Sequence, residues 1–384
     1  MKYSISCIAF TLILACNSQK KGADGDLPTL EISMDTVIID PVQEILFLNA
    51  GLRQSALSED KKYLYNVNSK ENSIEQINLN TLAFEKKHPF EKEGPNGVGN
   101  GLSSFSLIDA GKLFINSNSN ESIFNWQGKK LESLKLFDMG MEQGLLDEGD
   151  SPYKFISVPR DGIKFACLIF NWEKKSAVFA MIDREKKTFK KMDIPGIEKA
   201  KNFEIIHSGE KTSIFFGANR YLVKEGGKVI LGTSVSSELY VLDETVDTLQ
   251  HINFNSQLTP NEKSGTYPAK IGDMAQFEIY FQKIQEDISF LAPVWDEKKQ
   301  VFYRFSYQMK FDENAKVEEG QPFAPPKEAD VYLSILDNDL NLIAEGPFQT
   351  LDSYPGFHFG KDGKLWVFEN IEDEMGFVRL DITW

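Results

Sequence analysis

The sequence predicts an all-β protein, a single β-propeller over residues 30–384 interrupted by one short amphipathic helix near 272–288. Three observations predict it. A polar turn, an apolar strand, a short polar gap and further strands recur along the chain, as in "SEDKKYLYNVNSKENSIEQINLNTLAFEKKHPF" (Ser58 to Phe90). Inside these units the residues alternate with period two, Tyr63, Tyr65 and Val67 against Leu64, Asn66 and Asn68, and β-branched and aromatic residues are enriched, as strands require. The 29 phenylalanines supply the bulk that blades need, because each sheet of a propeller buries both faces against its neighbours.

The chain opens with Met1, Lys2 and the apolar stretch Ile5 to Ala15. That is short of the ~20 residues that span a bilayer and fits the apolar region of an export signal. Ile13-Leu14-Ala15 before Cys16 resembles a lipobox, so residues 1–15 are expected to be removed and Cys16 to carry lipid. Acyl burial of ~0.8 kcal/mol per CH₂ makes two or more chains a stable anchor. Residues 16–29 then read as a lipidated tether, with Gly22, Gly25 and Pro28 and a reach of roughly 20 Å. Lys20 and Lys21 precede Asp24 and Asp26, which favours the periplasmic leaflet of the outer membrane over the cell surface.

Processing leaves Cys167 without a partner cysteine, so an internal disulfide is excluded. In "IKFACLIFNW" it reads as a core residue. The net charge of −15 becomes −16 once Lys2 is lost with the signal. Such acidity excludes nucleic acid, whose phosphates need clustered Lys and Arg, and excludes anionic lipid as a ligand of the protein surface.

The first β segment, "LEISMDTVIID" (Leu30 to Asp40), is expected to close the ring by pairing with the last unit, because the chain ends in a strand at Trp384. Closure removes the exposed sheet edges that invite aggregation. Further units begin at Ile108, Arg160, Ala218, Trp295 and Gly360. Six blades are expected, seven being the alternative, since the spacing exceeds a blade of ~40 to 45 residues. From Met274 the apolar residues Phe277, Phe281, Ile284 and Ile288 follow at spacings of 3, 4, 3 and 4, one face of a helix that should pack on the propeller itself.

The segment "FLAPVWDEKKQVFYRF" (Phe290 to Phe305) and the ending "SYPGFHFGKDGKLWVFENIEDEMGFVRLDI" (Ser353 to Ile382) resemble the domain-of-unknown-function family 4221, exported lipoproteins of Gram-negative bacteria. The loop "EGPNGVGNG" (Glu93 to Gly101) is similar to loops of six-bladed, TolB-like propellers. The resemblance implies an exported, anchored propeller over residues 30–384 and brings no reaction or catalytic residue with it.

The motifs that could carry chemistry read as turns. The glycines of that loop lack the Lys-Ser/Thr of a P-loop and the strand-to-helix setting of a dinucleotide fingerprint. "DNDLN" at Asp337, Asp339 and Asn341 has Leu342 and Phe348 where a calcium loop needs Gly and Glu. The histidines His88, His207, His251 and His358 are far apart, and no metal or other cofactor is expected. A Gly-x-Ser-x-Gly elbow is missing. The remaining cluster is "FENIEDEMGF", with Glu369, Glu372, Asp373 and Glu374. These acids, with Trp295, Tyr303, Arg304, Tyr354 and His358 in the family-like motifs, are the candidate ligand-binding residues, and no catalytic residue is assigned. The expected function is a non-enzymatic binding or scaffold module for an envelope protein or glycan. The alternative is a carbohydrate-active hydrolase or lyase using carboxylates in the propeller channel; fold alone does not separate the two.

Overall fold

Each polar turn in the repeating pattern reverses the chain, so successive strands pair antiparallel in sequence order. In a computed structural model, residues 27–384 are described except 100, 103, 110, 118–119, 172, 210–212, 244–247, 313–322 and 349–353; Cys16 and the signal lie outside the described residues. After the N-terminal strand β1 (Glu31–Ile38), the first sheet takes β2 (Ser55–Leu57), β3 (Tyr63–Asn68), β4 (Ser73–Asn78) and β5 (Ala83–Pro89). The second takes β6 (Phe105–Asp109), β7 (Lys112–Ser117), β8 (Asn120–Asn125) and β9 (Lys130–Leu134), followed by helix α1 (Leu136–Glu142). The third is β10 (Asp150–Ser157), β11 (Lys164–Asn171), β12 (Ser176–Asp183) and β13 (Thr188–Met192).

A short helix α2 (Pro195–Glu198) leads to β14 (Ile205–Ser208) and β15 (Ser213–Phe216), and the fourth sheet follows with β16 (Arg220–Glu225), β17 (Lys228–Thr233), β18 (Leu239–Asp243) and β19 (Leu249–Ile252). Then come β20 (Lys270–Ile271) and helix α3 (Met274–Glu286). The fifth sheet contains β21 (Ser289–Phe290), β22 (Val294–Asp296), β23 (Val301–Lys310), β24 (Glu328–Leu336) and β25 (Leu342–Phe348), with β21 and β22 both on β23. The closing sheet joins β26 (His358–Lys361), β27 (Lys364–Ile371) and β28 (Glu374–Thr383) to β1, which runs antiparallel to β28 from Glu31↔Thr383 to Ile38↔Gly376. The expected closure is therefore present.

Among the described residues, the six larger sheets share their cores pairwise. Val67 and Ile74 of the first pack with Leu113 and Phe124 of the second, and Phe114 of the second with Phe165 and Cys167 of the third. Leu168 and Phe179 meet Leu222 and Leu231 of the fourth. Ile230 and Leu239 meet Phe302 and Leu336 of the fifth. Phe305 and Leu333 meet Leu365 and Leu380 of the closing sheet, whose Trp366 and Phe377 reach Leu64 and Ile77 of the first. This succession returns to its start, the arrangement of a β-propeller with a both-faces-buried sheet at each step. Cys167 is fully buried in one of these cores, as its apolar context requires.

Outside the ring, β14, β15 and β20 form a three-stranded sheet in which β14 and β20 are parallel. Helix α3 lies against it. The Asp273 carboxylate accepts the Gln276 N–H at 2.8 Å, capping the first turn. Phe277, Phe281 and Ile284 face Phe216, Ile271 and Phe323, so the helix packs on the protein's own surface, as its spacing predicts.

A charged channel and an aromatic cleft

The inner strand is the first of its sheet in the first four large sheets, β22 in the fifth and β26 in the closing sheet, where β1 lies at the opposite edge. β2 touches β6, β6 touches β10, β10 touches β16 and β22 touches β26. Together these strands enclose a central cavity of about 660 Å³, lined by Arg53 and Lys61 of the first sheet, Ser106 of the second, Lys154 and Arg160 of the third, Glu225 of the fourth, Trp295 of the fifth and His358 of the closing sheet. Two glycines allow the inner strands to approach. Gly226 has φ +56, and a Cβ there would lie 2.9 Å from Phe302 and 3.0 Å from Trp295; a Cβ on Gly360 would stand 2.6 Å from the Trp295 carbonyl oxygen. Asp296, fully buried, accepts the Lys299 N–H at 2.7 Å and the Gly363 N–H at 2.9 Å, tying the turn after β22 to the turn after β26.

The charges on the wall are of two kinds. Glu225 is engaged: its Oε2 accepts the Trp295 N–H at 3.0 Å and lies 3.9 Å from Lys61 Nζ, which itself donates to the Trp295 carbonyl. Burial nonetheless raises the Glu225 carboxyl above the usual range, opposed by Lys61. Lys154 is not engaged. Its side chain is open to the water of the channel but ringed by protein, and this surrounding lowers its amine from the ordinary lysine value. No hydrogen-bond or ion-pair partner for it exists among the described residues. His358 donates from Nδ1 to the Gly356 carbonyl at 2.8 Å, rests edge-on against Phe305 and is held below its usual value by burial.

A second concavity of about 600 Å³ opens where the inner strands end and the chain turns outward; it shares Ser58, Glu59, Leu107, Arg160 and Glu297 with the channel. Its aromatic wall is Tyr63, Tyr65 and Trp126. The Tyr65 and Trp126 rings stack with centroids 4.5 Å apart at 23°, and Tyr63 follows at 6.1 Å. His88 fixes this wall from behind, with Nδ1 at 2.9 Å from the Trp126 carbonyl and Nε2 at 2.9 Å from Gln76 Oε1. Burial pushes the Tyr65 phenol up to about 12. Glu59, Asp60, Asp109 and Arg160 stand around it, the Asp60 carboxyl held below its usual value first by the Ser58 hydroxyl.

Of the residues singled out from sequence, Trp295 and His358 reach the channel wall. Tyr303 and Arg304 do not: both are buried between sheets, Arg304 donating to the Leu291, Ser236 and Ser237 carbonyls and to the Tyr221 hydroxyl. Tyr354 is exposed and stacks on Tyr307 at 5.1 Å. Glu369, Glu372, Asp373 and Glu374 are exposed on the β27–β28 hairpin, whose turn uses φ +52 at Glu372 and +67 at Asp373. The four acids therefore stand in solvent, not in the channel. "DNDLN" is likewise a turn, with Asp337 Oδ1 accepting the Asp339 and Asn341 N–H groups. No group of three His, Cys, Asp or Glu able to hold a metal is found among the described residues.

Sequence reasoning passed over Lys154, Glu225 and the aromatic wall. The alternation that places Tyr63 and Tyr65 on one face was a usable signal. Trp126 reaches them from the neighbouring sheet, 61 residues further along, a juxtaposition that only the ring produces.

Residues 26–347 match the family described as Domain of unknown function (DUF4221). The chain belongs to this family. A solved structure of a DUF4221 member from Bacteroides vulgatus is 17% identical, overlaps 93% of this chain and 99% of that one, and superposes with a TM-score of 0.65. A putative exported protein from Bacteroides fragilis is 12% identical over 92% of this chain and 96% of that one, TM-score 0.49. A putative TolB from Agrobacterium tumefaciens is 10% identical over 92% and 99%, TM-score 0.37. No curated protein matches the chain. At 17% identity the first of these similarities shows a shared fold, and the DUF4221 assignment carries no reaction or ligand with it.

Proposed function

We propose that this DUF4221 protein is an exported module, held through a lipidated Cys16 at the outer membrane facing the periplasm, that binds an envelope partner without transforming it. The observation that carries the reading is the continuity of channel and aromatic cleft: one concavity offers ring faces, carboxylates and guanidinium groups together. Ring faces take up the C–H faces of sugars or the side chains of a peptide, while the flanking polar groups fix orientation. A glycan fits this combination best. No helix among the described residues is long and apolar enough to cross a membrane, and the lipobox-like Ile13 to Cys16 supplies the attachment.

Hydrolysis in the channel would need two carboxylates at ~5 to 10 Å with divided acid and base roles. Glu225, the channel carboxylate whose value burial raises, already accepts from Trp295 and faces Lys61, which favours binding over catalysis. The test is purification of the tagged, lipidated protein in mild detergent from its native envelope, with mass spectrometry of what accompanies it. A stoichiometric glycan or protein, lost in Trp126→Ala, is the expected result. Cleavage of a saccharide by the purified protein, abolished in Glu225→Gln, would overturn the reading in favour of the hydrolase. Cys16→Ala is expected to leave a folded protein that no longer sediments with membranes; persistence after a carbonate wash would remove the anchor from the proposal.

A further inference from the structure

We infer that the channel holds the anionic group of its ligand, a carboxylate or a phosphate, with Lys154 as the central cation and Arg53 and Arg160 toward its two ends. This rests on the reading of channel and cleft as one binding site. Lys154 lines the cavity from β10 and has no hydrogen-bond or ion-pair partner among the described residues. Arg53 lies just before β2 and spends only its Nε on the Ala50 carbonyl, at 3.1 Å. Arg160 follows β10 at the mouth shared with the aromatic cleft, and makes no hydrogen bond among the described residues.

Lys154 is exposed to the channel, so it keeps its charge without a protein partner among the described residues and its ammonium is free to pair with an anion. Structural cations elsewhere in this protein show the contrast. Lys61 is satisfied by the Trp295 carbonyl and Glu225, and Lys263 by the Ile284 and Asp287 carbonyls at 2.6 and 3.0 Å. The cavity is lined by five basic residues, Arg53, Lys61, Lys154, Arg160 and Lys224, against three acids, Glu59, Glu225 and Glu297, a local positive excess in a chain of net charge −15. A low-dielectric cleft focuses the field of its lining charges, so the channel draws anions into a molecule whose average surface repels them. A volume of about 660 Å³ lies within the ~300 to 1,000 Å³ that small-ligand sites occupy, room for an acidic sugar unit continuing into the aromatic cleft.

The experiment uses the full mature chain at low salt, titrated by calorimetry with glucuronate, inorganic phosphate and glucose, alongside NMR of the ¹³C-dimethylated lysines to follow Lys154 itself. At least one of the two anions is expected to bind saturably and to shift the Lys154 signal. Lys154→Met should weaken binding tenfold or more without lowering the melting temperature, and Lys154→Arg should retain most of it. Glucuronate alone would identify a sugar acid, phosphate alone a phosphorylated ligand. The inference is overturned if neither anion binds saturably, if glucose binds as well as either, or if Lys154→Met binds like the parent. Co-purification of a neutral glycan with no anion effect would defeat this inference and leave the binding reading standing. Anion binding without any envelope partner would do the reverse.

Discussion

Arg304 is a fully buried cation with no carboxylate beside it among the described residues. Its guanidinium spans three backbone carbonyls and the Tyr221 hydroxyl, between the rings of Phe254 and Phe290 at 5.5 and 5.2 Å. Arg304→Ala would leave those carbonyls buried and unsatisfied where the fourth and fifth sheets meet, so we expect a loss of about 3 kcal/mol or more in urea unfolding, with glycan or anion binding unchanged in the folded fraction. A loss of binding with unaltered stability would return Arg304 to the site. In sequence it reads as an arginine between two aromatics, and that pattern suits a ligand contact as well as a clamp. Its acceptors at 236 and 237 lie 68 and 67 residues away, which is why the distinction was not legible. Glu121 gives a second prediction at this scale. It is 5% exposed and accepts the Leu136 and Phe137 N–H groups at the start of α1, but burial pushes its carboxyl up to about 7 from an unfolded 4.5. The native state therefore binds more protons than the unfolded state between pH 4.5 and 7, and stability from this group falls as pH rises through that window. At ~1.4 kcal/mol per unit the penalty above pH 7 is of the order of 3 kcal/mol. Glu121→Gln keeps an acceptor oxygen and cannot ionise, so its advantage over the parent should be larger at pH 8 than at pH 4.5. Parallel pH profiles would refute the assignment.

Elements were legible where periodicity is long and local. The units beginning at Ser58, Ile108, Arg160, Ala218, Trp295 and Gly360 each fall on one large sheet, and the 3, 4, 3, 4 spacing located α3. The three-stranded sheet beside it was not read, because its strands have 4, 4 and 2 residues and its parallel pair joins His207 to Ile271. Strands so short carry no alternation to detect. This module has a core of its own around Phe277, separate from those that join the large sheets. We expect Phe277→Ala to cost about 3 to 5 kcal/mol locally. Hydrogen exchange should then accelerate in α3, β14 and β20 while β11, β23 and β27 keep their protection. Uniform acceleration through every sheet would show that the module and the ring unfold as one.

At the scale of the whole molecule, the sequence revealed that the ends meet, and it did so through an edge argument, since a terminal strand at Trp384 needs a partner and Leu30 to Asp40 has the pattern to be one. It could not reveal the channel, whose wall draws a few residues from each of six strands spread from Arg53 to Phe359. The closure itself is testable. β1 is largely exposed along its length, so its part in stability comes from backbone pairing with β28 and from Arg379, which donates from Nε to Asp35 Oδ1 at 2.9 Å and from Nη2 to Oδ2. Removing residues 27–38 would uncover β28 as a long edge bearing Phe377, Val378 and Leu380, and an unprotected edge templates pairing with other chains. The large cores between the sheets, apart from contacts of Leu30, Ile32 and Val37, would remain. The truncated protein should therefore keep its β-sheet circular dichroism, melt at lower temperature than the parent and associate with rising concentration in light scattering. Asp35→Asn in the full chain should show little of this, because an exposed ion pair contributes only ~0.2 to 1 kcal/mol. A truncated protein that stays monomeric with an unchanged melting temperature would mean that the ring is held by its inter-sheet cores alone.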